Sequence, residues 1–231
     1  MFSSLNFVLK ILPFLFSSLT LVIGFYLYYF SINKNEVLSF EEKEKKYCQL
    51  FKTLIVINFV FKILYAKTLS IVQYFIWNSS KYTQVFIKEG IGHTVQNPIN
   101  NFPWLFQKTG GYFLYYILSR FWISIFITLA FALIFYLILF FLHKINSRLL
   151  TKSDILLGFL GSLTSGWPGF VAYFFIFMLS FLLIGLKDKI LIKEKYTTIT
   201  YSLWISALIV AIFGYWILNN IKAIQILSLG I

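Results

Sequence analysis

The stretch 149–186 constrains the fold of this chain more than any other. It is apolar almost throughout, yet Gly166-Trp167-Pro168-Gly169 breaks it in the middle. A membrane-spanning helix needs about 20 apolar residues, so this stretch is long enough for two short spans. Glycine and proline together are typical of turns. We therefore predict two membrane-spanning pieces joined by a tight turn.

The composition of the chain as a whole points to the same class of protein. Hydrophobic residues make up 59% of the sequence and charged residues 12%, whereas soluble proteins contain about 25% charged residues. Several other stretches exceed the ~18 consecutive apolar residues that indicate a spanning helix. We predict an all-α, polytopic transmembrane helical bundle that forms a single integral membrane domain over 1–231.

Basic residues in the loops discriminate between one and two crossings of 149–186. A single crossing gives five spans and places eight loop lysines and arginines on each side. Two crossings give six spans, with eleven basic residues on one side and five on the other. Because cytoplasmic loops are enriched in Lys and Arg, six spans are favoured, with both termini outside and Asp154 near the inner surface.

The net charge of +12 predicts lipid rather than nucleic acid as a partner. The lysines lie in the loops between apolar runs, where the positive-inside rule predicts basic residues. We expect contacts with the lipid bilayer, with anionic lipid at the basic loops, and no binding of nucleic acid.

Two regions carry polar residues at or near membrane depth. Residues 49–77 place Lys62 among apolar residues on a helix that either spans the membrane or lies in its interface. Snorkelling or an ion pair explains such a lysine, and a transport or catalytic role is the alternative. Arg120 is expected at the interface before a span, and 78–110 is predicted to be an extramembrane loop or cap between spans.

The residue types needed for metal or cofactor chemistry are scarce. Cys48 is the only cysteine, and His93 and His143 are the only histidines. These counts exclude a Cys/His metal cluster and an internal disulfide. No phosphate-binding loop or dinucleotide glycine motif is present, so we expect neither a metal nor another cofactor.

Asp154 is the candidate catalytic residue. A carboxylate in an apolar segment marks a proton path, a counter-ion or aspartyl catalysis. The alternative is structural, because Lys152-Ser153-Asp154 also fits the start of an interfacial helix with Ser153 or Asp154 as its cap.

The segment from Asp154 through Gly161 to Gly166-Trp167-Pro168 resembles the stretch that follows the second catalytic aspartate of prepilin (type IV leader) peptidases. The resemblance extends over about 135–220 and implies a membrane aspartyl protease. Leu150-Thr151-Lys152-Ser153 stands where that family has glycines, and no aspartate precedes Asp154. Glu89 lies at a sequence distance that would let it substitute for the missing aspartate. These departures imply a degenerate or much altered copy.

Three functions follow from these patterns. The first is a non-catalytic subunit of a larger membrane complex, in which other membrane subunits are its partners. The abundance of Phe, Tyr, Ile, Asn and Lys indicates an AT-rich organellar or reduced genome, which fits an energy-transducing complex of the respiratory or ATP synthase type. The membrane would then be the mitochondrial inner membrane or a bacterial plasma membrane. The alternatives are the peptidase-like protein and a transporter or channel component that uses Lys62, Arg120 or Asp154 along a polar path.

Overall fold

The computed structural model describes residues 2–33, 38–90, 103–146, 150–187, 189 and 199–220. These residues are helical and contain no strand, which confirms the all-α prediction. The helices are α1 (Phe2–Tyr26), α2 (Phe40–Asn78), α3 (Lys81–Lys88), α4 (Pro103–Phe106), α5 (Gly111–Ile117), α6 (Ile123–Ile145), α7 (Lys152–Ser165), α8 (Gly169–Lys187) and α9 (Thr200–Asn220). Two π-helical segments, Leu27–Asn33 and Leu118–Trp122, follow α1 and α5.

The chain divides into two compact units. Residues 1–60 and 127–230 form the first, which we call the bundle unit, and residues 61–126 form the second, which we call the middle unit. Whether 1–231 acts as a single membrane domain stays a prediction, as does an extramembrane location for 78–110. Part of that segment, residues 91–102, lies outside the described residues.

The Gly166–Gly169 segment is a turn that reverses the chain, as predicted for 149–186. The reversal is visible at Phe135 on α6, which contacts both α7 and α8. A Cβ atom added to Gly158 on α7 would lie 3.1 Å from the Phe135 ring. The ring centroids of Phe135 and of Phe177 on α8 are 5.6 Å apart. Gly166 has a φ of 65°, a conformation that favours glycine. The Trp167 backbone N–H donates to Thr128 Oγ1 at 2.8 Å and fixes the turn against α6.

The hairpin brings the two ends of the α7–α8 pair to one end of the bundle unit. The His143 ring at the end of α6 contacts the Leu150 carbonyl oxygen just before α7. Ser180 on α8 donates to the carbonyl oxygen of Ser202 near the start of α9. Thr200 at the start of α9 also donates to the Asp154 carboxylate at the start of α7, so the starts of α7 and α9 lie at one end of the bundle unit, toward which the end of α8 also runs.

The number of spans differs from the prediction of six, or five with a single crossing. Four helical stretches within the described residues are long and apolar enough to cross a membrane: Ile11–Phe30, Phe40–Asn78, Gly111–Ile145 and Gly169–Lys187. The apolar stretch of α9, Thr200–Gly214, is shorter. With 14 residues, α7 is about 21 Å long at 1.5 Å per residue, against a hydrocarbon core of about 30 Å.

Burial explains why α7 contains polar residues, whereas its length is set by the Thr151 cap and the turn at Gly166. Eleven of its 14 residues are buried, including Ser162, Thr164 and Ser165, whose hydroxyl groups donate to carbonyl oxygens of the preceding turn. Gly158 and Gly161 let neighbouring side chains approach closely, and the Tyr173 ring lies directly over Gly161. Helix α7 thus packs against protein rather than lipid, using the small residues typical of membrane helix contacts.

The polar residues of 49–77 do not form one exposed face. Asn58 is 1% exposed, and its amide nitrogen donates to Thr20 Oγ1 on α1 at 3.2 Å. Lys52 and Lys67, by contrast, are exposed. The amide of Asn58 therefore joins α1 to α2 inside the bundle unit.

The middle unit is held together by aromatic rings. Trp77, at the end of α2, lies 4.8 Å from Tyr116 and 5.4 Å from Phe113 between ring centroids. The indole N–H of Trp122 donates to Ser70 Oγ at 3.3 Å. These contacts join α2 to the helical segment that runs from α5 into α6.

Candidate functional site

The Asp154 carboxylate is buried at the start of α7 and both of its oxygens accept hydrogen bonds. Its side chain is 3% exposed. Oδ2 accepts from the Thr151 backbone N–H and from Thr151 Oγ1, each at 2.8 Å. Oδ1 accepts from Thr200 Oγ1 at 2.6 Å. The carboxylate therefore links the start of α7 to the start of α9.

The local sequence explains this arrangement. Thr151 is the N-cap of α7, and its hydroxyl oxygen accepts from the Asp154 backbone N–H at 3.3 Å, which completes a capping box. Such a box satisfies two of the amide groups that every helix leaves free at its N-terminus. The negative charge of Asp154 also complements the positive end of the helix dipole. The cap residue is thus Thr151, whereas the sequence had suggested Ser153 or Asp154.

Glu44 lies at the same end of the bundle unit, a position that sequence reasoning missed. Its Oε1 accepts from the Lys152 backbone N–H at 3.0 Å. The sequence shows Glu44 only within a charged helix entry, and no local pattern relates it to a residue 108 positions later. The contact becomes visible only when α2 and α7 are placed side by side.

An aromatic cluster in the bundle unit joins the segment after α1 to α2 and α9. The ring centroid of Tyr28 lies 4.5 Å from that of Tyr47 and 5.7 Å from that of Trp204. Phe51 and Trp204, both 1% exposed, are 5.8 Å apart. Tyr28 belongs to the π-helical segment that follows α1.

The other candidates from the sequence belong to the middle unit. Glu89 is exposed just after α3, and its backbone carbonyl oxygen accepts from the Tyr112 N–H at 3.3 Å. Arg120 is exposed in the π-helical segment Leu118–Trp122. Lys62 is partly buried in α2 and has no hydrogen-bond or ion-pair partner among the described residues.

The described residues offer no arrangement for a metal ion, because they contain no group of three or more His, Cys, Asp or Glu side chains placed to hold one. The chemistry that this end of the bundle unit supports is hydrogen bonding by a buried carboxylate. Comparison of the chain with protein-family models, with curated proteins and with solved structures finds no match.

Proposed function

We propose that this chain is a non-catalytic polytopic subunit of a larger membrane complex, of the energy-transducing kind (respiratory or ATP synthase type). Its abundance of residues with AT-rich codons supports an organellar or reduced genome. The location would then be the mitochondrial inner membrane or a bacterial plasma membrane.

The observation that carries this proposal is the bonding of the Asp154 carboxylate. A general acid or base must be free to exchange a proton with a substrate or a water molecule. Both oxygens of Asp154 instead accept hydrogen bonds from Thr151 and Thr200, and only 3% of the side chain is exposed. This bonding is what a structural link between two helices requires.

Lys62 supports the assembly part of the proposal. Charged side chains in membrane helices are costly unless they pair with another group or reach the interface. Lys62 lies within a candidate membrane-spanning helix and has no partner among the described residues. A partner group on a neighbouring subunit would satisfy it.

The proposal is tested by extracting native membranes with a gentle detergent, sizing the extract on a native gel and identifying co-migrating proteins by mass spectrometry. We expect the chain to migrate with a large complex and Lys62→Gln to weaken that association. The matched control is Lys81→Gln, which changes an exposed lysine on α3. A chain that migrates alone, as a small species, would refute the subunit function.

A membrane aspartyl protease of the prepilin peptidase kind is the second candidate, and the position of Glu44 favours it. Aspartyl catalysis needs two carboxylates close enough to share a proton. Glu44 contacts the backbone of Lys152, two residues before Asp154, so two carboxylates lie at the same end of the bundle unit.

This second candidate is tested with the purified chain and a leader-peptide substrate. Processing that is lost in both Asp154→Asn and Glu44→Gln, and kept in the exposed control Glu41→Gln, would support a protease. Absence of processing by the unaltered chain, or processing by the Asp154→Asn variant, would rule out Asp154 catalysis.

A further inference from the structure

The middle unit contains an open groove between α2 and the segment that runs from α5 to the π-helix. Its volume is about 320 Å³, within the ~300–1,000 Å³ typical of ligand-binding clefts. The apolar part of its lining includes Ile71, Phe75, Ile117 and Trp122, and the polar part consists of Lys67 and Ser70, with the phenol of Tyr74.

The polar atoms of the groove differ in whether they are already bonded. The Trp122 indole N–H donates to Ser70 Oγ, and the Ser70 hydroxyl donates to the Ala66 carbonyl oxygen at 2.8 Å. Lys67 is exposed and has no ion-pair partner among the described residues. The groove therefore presents an almost wholly apolar surface, and the exposed Lys67 is the one charged residue among those that line it.

The charge of the surrounding segment favours an anionic ligand. Residues 61–126 contain six basic residues and one acidic residue, Glu89. Trp and Tyr residues are also abundant there, as is typical of segments that lie at membrane interfaces. An amphiphile with a negatively charged headgroup complements both the apolar walls and the lysine.

We propose that this groove binds an acyl chain of an anionic phospholipid, with the Lys67 ammonium group contacting the lipid phosphate. The apolar walls replace the lipid environment around the chain. Lys67 favours an anionic headgroup because both kinds of lipid carry the phosphate, but only the zwitterionic one adds a choline cation that repels the lysine. This site is independent of the subunit function, because it concerns a single copy of the chain.

The test uses the purified full chain in phosphatidylcholine vesicles that contain phospholipids with brominated acyl chains, which quench nearby tryptophan fluorescence. Binding of brominated phosphatidylglycerol is compared with binding of brominated phosphatidylcholine. We expect tighter binding of phosphatidylglycerol, and quenching that falls in Trp122→Phe because Trp122 lines the groove.

Two substitutions separate headgroup from chain recognition. Lys67→Gln is expected to lower the preference for phosphatidylglycerol about fivefold, the effect of one basic residue near an anionic lipid surface. Lys81→Gln, an exposed lysine of the same unit that does not line the groove, is expected to leave the preference unchanged. Ile71→Phe is expected to weaken binding of both lipids, because the larger side chain occupies part of the groove.

The proposal would be overturned by equal binding of the two lipids to the unaltered chain. It would also be overturned if Lys67→Gln and Lys81→Gln had the same effect, because the preference would then reflect the overall charge. Quenching that is unchanged in Trp122→Phe would place the bound lipid outside the groove. Helical content is measured by circular dichroism to check that each variant is folded.

Discussion

Replacing Asp154 with alanine is expected to lower the free energy of unfolding by about 3 kcal/mol. The substitution removes three hydrogen bonds from Thr151 and Thr200 to a buried carboxylate, and each hydrogen bond to a charged group contributes about 1.5–3 kcal/mol. The cost of burying the carboxylate offsets part of that sum. Loss of the favourable charge at the helix N-terminus adds about 0.3–1 kcal/mol.

The measurement is reversible unfolding of the purified chain in mixed detergent micelles, followed by circular dichroism. The control is Ser162→Ala, which removes a fully buried hydroxyl that bonds only within α7 and should cost about 1 kcal/mol. A double-mutant cycle of Asp154→Ala with Thr200→Val should give a coupling energy of about 1–2 kcal/mol. The reasoning is refuted if the alanine variant is no less stable than the Ser162 control, or if the two substitutions are additive.

Three further predictions concern packing in the bundle unit and use the same unfolding assay. Gly161→Ala is expected to lower the free energy of unfolding by about 1–3 kcal/mol, because the new Cβ would lie 2.6 Å from the packed Tyr173 side chain. The control Gly169→Ala has no neighbouring atom closer than 3.8 Å and should change stability by less than about 0.5 kcal/mol. Equal effects of the two substitutions would contradict the packing. Gly166→Ala should cost about 1–3 kcal/mol because of its φ of 65°, and a neutral result would show that the turn adopts another conformation. A cycle of Asn58→Leu with Thr20→Val should give a coupling of about 0.6–1.7 kcal/mol, and zero coupling would mean that their hydrogen bond does not hold α1 against α2.

The class of fold and the position of the hairpin turn could be predicted from the sequence, because both depend on local properties. Long apolar runs indicate membrane helices whatever their neighbours, and the glycines and proline of Gly166–Gly169 favour a turn. The loop charges favoured two crossings of 149–186; the chain does reverse there, but the 14-residue α7 is not among the four candidate spans.

The surroundings of each helix could not be predicted in the same way. A residue that faces lipid and one that faces another helix are both apolar, so the burial of α7 inside the bundle unit left no clear compositional signal. For this reason the sequence suggested that α7 is a span. The stripe of Gly158, Gly161 and Ser162 was the available indication of close helix packing.

The candidate site was only partly accessible to sequence reasoning for a related reason. Asp154 was conspicuous as a carboxylate in an apolar segment, and its structural alternative, a helix start, agrees with the capping box. Its bond to Thr200 and the position of Glu44 depend on contacts between residues 46 and 108 positions apart. No single-sequence pattern specifies which helices pack together.

The shortness of α7 has a consequence for how the chain enters a membrane. A helix of 14 residues that contains a carboxylate and several hydroxyl groups partitions poorly into lipid by itself. The apolar helix α8 follows it after a three-residue turn, so the two can be inserted together as one hairpin. Insertion of α7 and folding of the bundle unit are then one event, and a defect in packing around α7 would reduce the amount of protein that reaches the membrane as well as its stability there.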